Sequence, residues 1–130
     1  MKIGDYNLIS IETGRFVLDG GAMFGVVPKN LWEKTNPADV QNRISLALRS
    51  LLLKSDNRLI LIDTGIGNKF EDKYSMIYNI DFSEYSLDKS LNQYNFTRFD
   101  ITDVIITHLH FDHAGGVSYL NNRNFENRGY

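Results

Sequence analysis

The sequence predicts an α+β fold in which one mostly antiparallel, mixed sheet carries helices on one of its faces. Three observations lead there. The first half is a succession of apolar runs broken by turn residues, a single stretch of helical periodicity follows, and a second apolar run then ends in a histidine cluster before Gly115-Gly116. Strands gathered first and helices second make a layered arrangement. No internal repeat, Pro/Gly/Ser linker or charge block divides the chain, so residues 1–130 read as one domain.

The elements follow in order. "NLISIETGRFVLDGG" reads as strand, turn at Thr13-Gly14, strand. "GAMFGVVPKNLWEK" is a Gly-interrupted apolar loop, with Pro28 checking any extension. "RISLALRSLLLKSDNRLILIDTG" is the clearest hairpin, two apolar runs joined through Ser55-Asp56-Asn57, the second stopping at Asp63. In "SLDKSLNQY", Leu87, Leu91 and Tyr94 recur at i, i+4 and i+7 with Ser86 available as N-cap, which predicts a short helix. "ITDVIITH" is expected as a short buried strand. After it Asp112 stands where an N-cap would stand, and "HAGGVSYL" can turn into a helix. "NNRNFENRGY", residues 121–130, is amide-rich, lacks either periodicity and is expected to be a frayed tail.

Composition narrows the function classes. Apolar content of 42% and charged content of 23% are those of a soluble globular protein. A net charge of −2, with basic residues scattered from Lys2 to Arg128, gives no footprint for nucleic acid. No apolar run reaches membrane-spanning length, and "IGDYNLISIE" lacks the apolar stretch of a signal peptide. The chain has no cysteine, so disulfides and thiolate ligands are excluded together. A cytoplasmic location is the expectation, and any metal must be held by imidazole and oxygen.

"THLHFDHAGG", residues 107–116, holds all three histidines of the chain: His108, His110 and His113, with Asp112 among them. On a strand, residues two apart share a face with Cα atoms about 7 Å apart. His108 and His110 can then lean onto one ion at the usual Zn–N distance of about 2.0–2.1 Å. Asp112 and His113 follow where the strand gives way to a turn and can aim at a second point. Two ions roughly 3.5–4 Å apart suit hydrolysis by a metal-activated hydroxide. Asp112 is the catalytic candidate, able to ligate or to accept a proton. Gly115 and Gly116 each cost about 1 kcal/mol in a helix, which a backbone crowded against a metal centre would explain.

This stretch resembles the H-x-H-x-D-H motif of the metallo-β-lactamase superfamily, and "LILIDTGIG" looks like the strand that family sets beside its site. The resemblance runs from about Phe16 to Leu120. It implies a four-layer αββα sandwich, of which this chain is about the first half, and usually zinc, sometimes iron or manganese. Carried over, His108 and His110 bind a first ion, Asp112 and His113 a second, and Asp63 is an acceptor that orients an imidazole from behind. Asp63 reads equally well as a turn residue before Thr64-Gly65. Family members are longer and supply further ligands later in their chains. Here no histidine follows His113, and the only carboxylate after Asp112 is Glu126. Two ligands per ion remain, where a catalytic zinc has three plus water. The domain is therefore expected to be incomplete and the isolated chain inactive.

"LDGGAMFGVVPKNLW" is similar to a loop in the lactonase and organophosphate-hydrolase branch, which makes Met23, Phe24 and Trp32 candidates for an apolar substrate wall. Ordinary loop packing explains them as well. The substrate is expected to be a small molecule, with lactone, other ester-like and phosphoryl centres all open. Two rival readings stand beside this one. An apolar strand ending in Asp63-Thr64-Gly65 resembles the signature of dimeric aspartic proteases, in which two aspartates share a proton. The chain could also be a non-catalytic fragment or a partner-dependent binding protein. Oligomeric state is not legible.

Overall fold

In the computed structural model, residues 1–121 and 124–127 are described, with side chains through Tyr119. The sheet is built around the pairing of β2 (Tyr6–Asp19) with β3 (Arg43–Lys54), antiparallel from Asn7 against Lys54 to Asp19 against Arg43. β1 (Lys2–Ile3) pairs antiparallel with β2 at the outer edge. β4 (Leu59–Ile62) completes the expected hairpin with β3, Leu51 opposite Ile62. β5 (Asp103–Ile105) then lies parallel to β4, giving the order β1-β2-β3-β4-β5. This is the mostly antiparallel, mixed sheet of the α+β expectation.

Thr13-Gly14 makes no turn. Both flanks keep pairing with β3, and the extra residue is absorbed as a register shift between Glu12 and Gly14 inside one 14-residue strand. Gly14 has φ 146°, and a Cβ there would come within 2.8 Å of the Phe82 ring, so no side chain fits.

The apolar stretches between the strands fold into single turns of helix. α1 (Gly20–Phe24) is capped by Asp19, whose Oδ1 accepts from Ala22 N at 2.7 Å, and it stops at Gly25 with φ 56°. α2 (Lys29–Trp32) begins directly after Pro28. The segment expected as a plain loop thus carries two helices, each too short for a 3.6-residue pattern to register. α3 (Asp72–Ile77) escapes sequence reasoning because it buries none of its residues and so shows no inward apolar face. α4 (Leu87–Asn92) forms as predicted: Ser86 Oγ accepts from Lys89 N at 3.2 Å, and Leu87 and Leu91 turn inward.

Leu52 and Leu61 are register partners, so they share a face. With Ile11, Leu59 and Ile101 they bury against Leu87 and Leu91 of α4. A second cluster centres on Phe16, Leu48 and Ile66, with Leu46, Phe70, Phe82 and Phe111 around it. The burial expected of "ITDVIITH" is found at Ile101 and in part at Val104, but does not run along the strand. β5 is three residues long, sits at the sheet edge, and leaves Ile105 49% exposed.

The end of the chain also departs from the sequence reading. The predicted helix over "HAGGVSYL" is one turn, α5 (Phe111–Ala114), followed by a 3₁₀ turn at Gly115–Val117 and by β6 (Ser118–Asn121). The amide of Gly116 bonds the carbonyl of Gly65 at 2.9 Å rather than a carbonyl of its own helix. Of the stretch expected to fray, β7 (Asn124–Asn127) pairs antiparallel with β6, and residues 122–123 and 128–130 lie outside the described residues.

Candidate metal centre

Parallel pairing brings the C-terminal ends of β4 and β5 side by side, and the amide of Asp63 bonds Ile105 O at 2.9 Å. The chain leaves β4 through Asp63 at φ 60°, a left-handed backbone that Asp tolerates better than most residues. That turn sends its carboxylate back toward the segment following β5. His108 and His110 lie in this connecting segment and not on the strand itself. Their rings nevertheless meet, with centroids 4.6 Å apart. His113, from α5, brings its ring within 4.0 Å of His108.

Asp63 is 8% exposed and both its oxygens are engaged. Oδ2 stands 2.8 Å from His113 Nδ1, and Oδ1 accepts from Thr107 N at 2.9 Å. The Thr107 hydroxyl reaches both oxygens, at 3.0 and 2.8 Å. Burial pushes the Asp63 carboxyl up, but the hydrogen bonds from His113 and Thr107 outweigh it and hold the group below the usual carboxylate range. An ionised carboxylate only accepts, so His113 carries a proton on Nδ1, and in the neutral ring the lone pair is then on Nε2. Asp112 Oδ2 lies 3.4 Å from that Nε2. Asp112 stands within the first turn of α5, while the N-cap position belongs to His110.

The donor set fits zinc in kind, as imidazole nitrogen and carboxylate oxygen with one ring oriented by a buried carboxylate. Among the described residues, however, no three His, Asp or Glu side chains are disposed around one point as a closed metal site. The sequence-predicted residues His108, His110, Asp112, His113 and Asp63 are brought together; the loop residues form a separate feature. Trp32 is buried, with Phe24 stacked on it at 5.0 Å and Gly20 beneath its ring, while Met23 is exposed.

Two residues that sequence reasoning missed hold the motif in place. Phe111, the one aromatic residue inside "HLHFDH", packs on Phe16, Phe70 and Tyr78 at 5.9, 5.5 and 5.1 Å. Lys69 Nζ donates to Gly115 O at 2.6 Å and to Ser118 Oγ at 2.8 Å, tying the end of α5 to the loop after β4. Both glycines sit against neighbouring backbone. A Cβ on Gly116 would meet Thr64 O, and one on Gly115 would meet Ile66 O. Thr64 N in turn donates to His113 O at 2.7 Å. A cavity of about 300 Å³, lined by Ile66, Lys69, Phe70, Tyr74 and Phe111 among others, opens beside the motif. A larger one of about 370 Å³ lies across Thr64 and Gly116, reaching Phe82 and Arg98, and holds none of the histidines.

The sequence profile of the metallo-beta-lactamase superfamily matches residues 49–128. Among solved structures, a probable metal-dependent hydrolase from Staphylococcus aureus is 40% identical with a TM-score of 0.81, over 92% of this chain and 43% of that one. AidC, a dizinc quorum-quenching lactonase in complex with a product, is 28% identical with a TM-score of 0.65, over 92% of this chain and 38% of that one. A quorum-quenching N-acyl homoserine lactone hydrolase is 25% identical with a TM-score of 0.59, over 89% and 43%. The chain therefore spans about two-fifths of the length of these proteins. A search among curated protein sequences finds no match.

Proposed function

Because this chain belongs to the metallo-beta-lactamase superfamily, we propose that it carries the histidine-motif portion of a zinc-dependent hydrolase acting on a lactone or a related ester-like or phosphoryl small molecule. His108 and His110 would hold one ion, and Asp112 and His113 a second. The observation that carries this reading is the buried Asp63 carboxylate at 2.8 Å from His113 Nδ1, which leaves Nε2 as the free donor. A metal-ligating imidazole almost always donates its other ring N–H to a carboxylate, carbonyl or water, which fixes its tautomer and orientation.

When bound, such ions lower the pKa of a water so that hydroxide is available at neutral pH, and they polarise the substrate oxygen. The chain's own residues do the rest. Asp63 orients His113. Asp112, beside His113 Nε2, is placed to hold a proton for the leaving group. Phe111 anchors the segment between His110 and Asp112 while contributing to the wall of the 300 Å³ cavity, a suitable seat for an apolar substituent. Met23 is the member of the α1 loop whose side chain remains available to a substrate, since Phe24 and Trp32 engage each other.

The lactonase neighbours favour a lactone over the other classes. The aspartic-protease reading fails on the site itself, because both oxygens of Asp63 are committed to His113 and Thr107. With two candidate ligands per ion, the 130-residue chain by itself is expected to bind zinc weakly and to turn nothing over. Zinc competition against a chromophoric chelator tests the ligand assignment: His108→Ala and His110→Ala should each weaken binding at least tenfold. Equal binding by wild type and both variants would remove the assignment.

A further inference from the structure

Thr107 has three polar neighbours and one hydroxyl proton, and that count decides the state of a second histidine. Its Oγ1 lies 2.8 Å from Asp63 Oδ2, 3.0 Å from Asp63 Oδ1 and 3.0 Å from His108 Nδ1. The carboxylate can only accept, so the hydroxyl proton must point to Asp63. Were it turned to His108 instead, two oxygens would face each other at 2.8 Å with no proton between them. The remaining lone pairs of Oγ1 then accept, and the donor is His108 Nδ1–H.

From this geometry we infer that Thr107 is a positioning residue that relays the Asp63 carboxylate to His108, holding that ring in the Nδ1–H tautomer with Nε2 as its metal-facing nitrogen. One buried carboxylate thereby sets two imidazoles at once, His113 by direct contact and His108 through a hydroxyl. The two rings lie 4.0 Å apart by centroid, and fixing both tautomers points both lone pairs away from the Asp63 side of the cluster. His110, whose ring meets His108 edge-on, receives no such bond among the described residues. The inference rests on the proposed ligand roles for its consequence, but the proton positions follow from Asp63, Thr107 and His108 alone.

The test is long-range ¹H–¹⁵N correlation NMR on the metal-free chain with its imidazoles neutral, beside zinc competition on the same samples. Wild type is expected to show His108 and His113 both protonated on Nδ1. Thr107→Ser keeps the hydroxyl and should reproduce that pattern. Thr107→Val keeps the shape and loses the hydroxyl. It should move His108 toward the Nε2–H form, leave His113 unchanged, and weaken zinc binding about tenfold. A merely structural threonine would alter melting behaviour without selecting one ring. Wild-type His108 protonated on Nε2, or no change at His108 in Thr107→Val, overturns the relay. A tautomer change at His108 with zinc affinity untouched supports the relay and removes His108 from the ligand set, which separates the two claims.

Discussion

Replacing Asp63 by Asn separates the charge of the site from its backbone. Asn tolerates a left-handed φ as Asp does, so the 60° at this position carries no new strain. Asp63→Ala would confound the two, because a left-handed backbone at Ala adds about 1–2 kcal/mol of its own. In the Asn variant one amide oxygen can still accept from Thr107 N, now at 2.9 Å. The other position becomes an NH₂, which faces His113 Nδ1 and demands a lone pair there. His113 must then carry its proton on Nε2, the nitrogen that wild type leaves free. A hydrogen bond to a charged group is worth about 1.5–3 kcal/mol, and losing that from His113 should lower the metal-free stability by about that much. Loss of such an orienting partner costs ten- to a hundredfold in metal affinity, or about 1.4–2.7 kcal/mol. Urea unfolding of the metal-free chain, zinc competition and ¹⁵N shifts of His113 measure the three consequences. An Asn variant that binds zinc like wild type, with His113 still protonated on Nδ1, refutes the reasoning.

Three further outcomes follow from the packing and the charges. Leu91 is fully buried between α4 and the sheet, so Leu91→Ala should cost about 2–5 kcal/mol in urea unfolding, whereas Leu109→Ala, at 88% exposed, should fall within about 0.5 kcal/mol of wild type. Gly116→Ala should lower stability by about 1–3 kcal/mol, because the added methyl meets Thr64 O on a backbone that His113 and Gly65 already hold. The thermal midpoint of the variant against wild type reads this directly. The bidentate Arg58 contact holds the Asp103 carboxyl below its usual range. Its contribution is therefore full above the unfolded value of about pH 4 and disappears as the pH falls through the lower folded value. Asp103→Asn should flatten that acid limb in urea midpoints taken across it, and an unchanged limb would show the pair contributes nothing.

What the sequence makes legible is what short-range chemistry decides. The β3–β4 hairpin and α4 with its Ser86 cap depend on alternation, periodicity and one hydroxyl, all visible in a string of letters. The histidines and Asp63 were readable as a group, because their types and spacing carry the chemistry. Partner choice between distant segments was not. Whether Thr13-Gly14 turns or bulges is settled by which strand Arg15 to Asp19 finds, and it finds β3 again. Gly115 and Gly116 signalled crowding correctly, but the crowding backbone belongs to Thr64 and Ile66, about fifty residues earlier. Thr107 sat inside the quoted motif and went unread, since its role appears only once the ends of β4 and β5 lie side by side.

The bond between Asp63 and His113 joins residues 50 apart in sequence, whereas His108 and His113 are separated by five. Closing a loop ten times longer costs about 2 kcal/mol more in chain entropy. During refolding the imidazoles are therefore near neighbours long before the carboxylate that orders them arrives. An unfolded chain can already chelate zinc through His108, His110 and His113, with either nitrogen of each ring. Zinc present from the start of refolding stabilises the unfolded ensemble as well as the native one, which reduces the net gain in stability. Metal added after the parallel strands have paired meets rings whose donor atoms are already chosen.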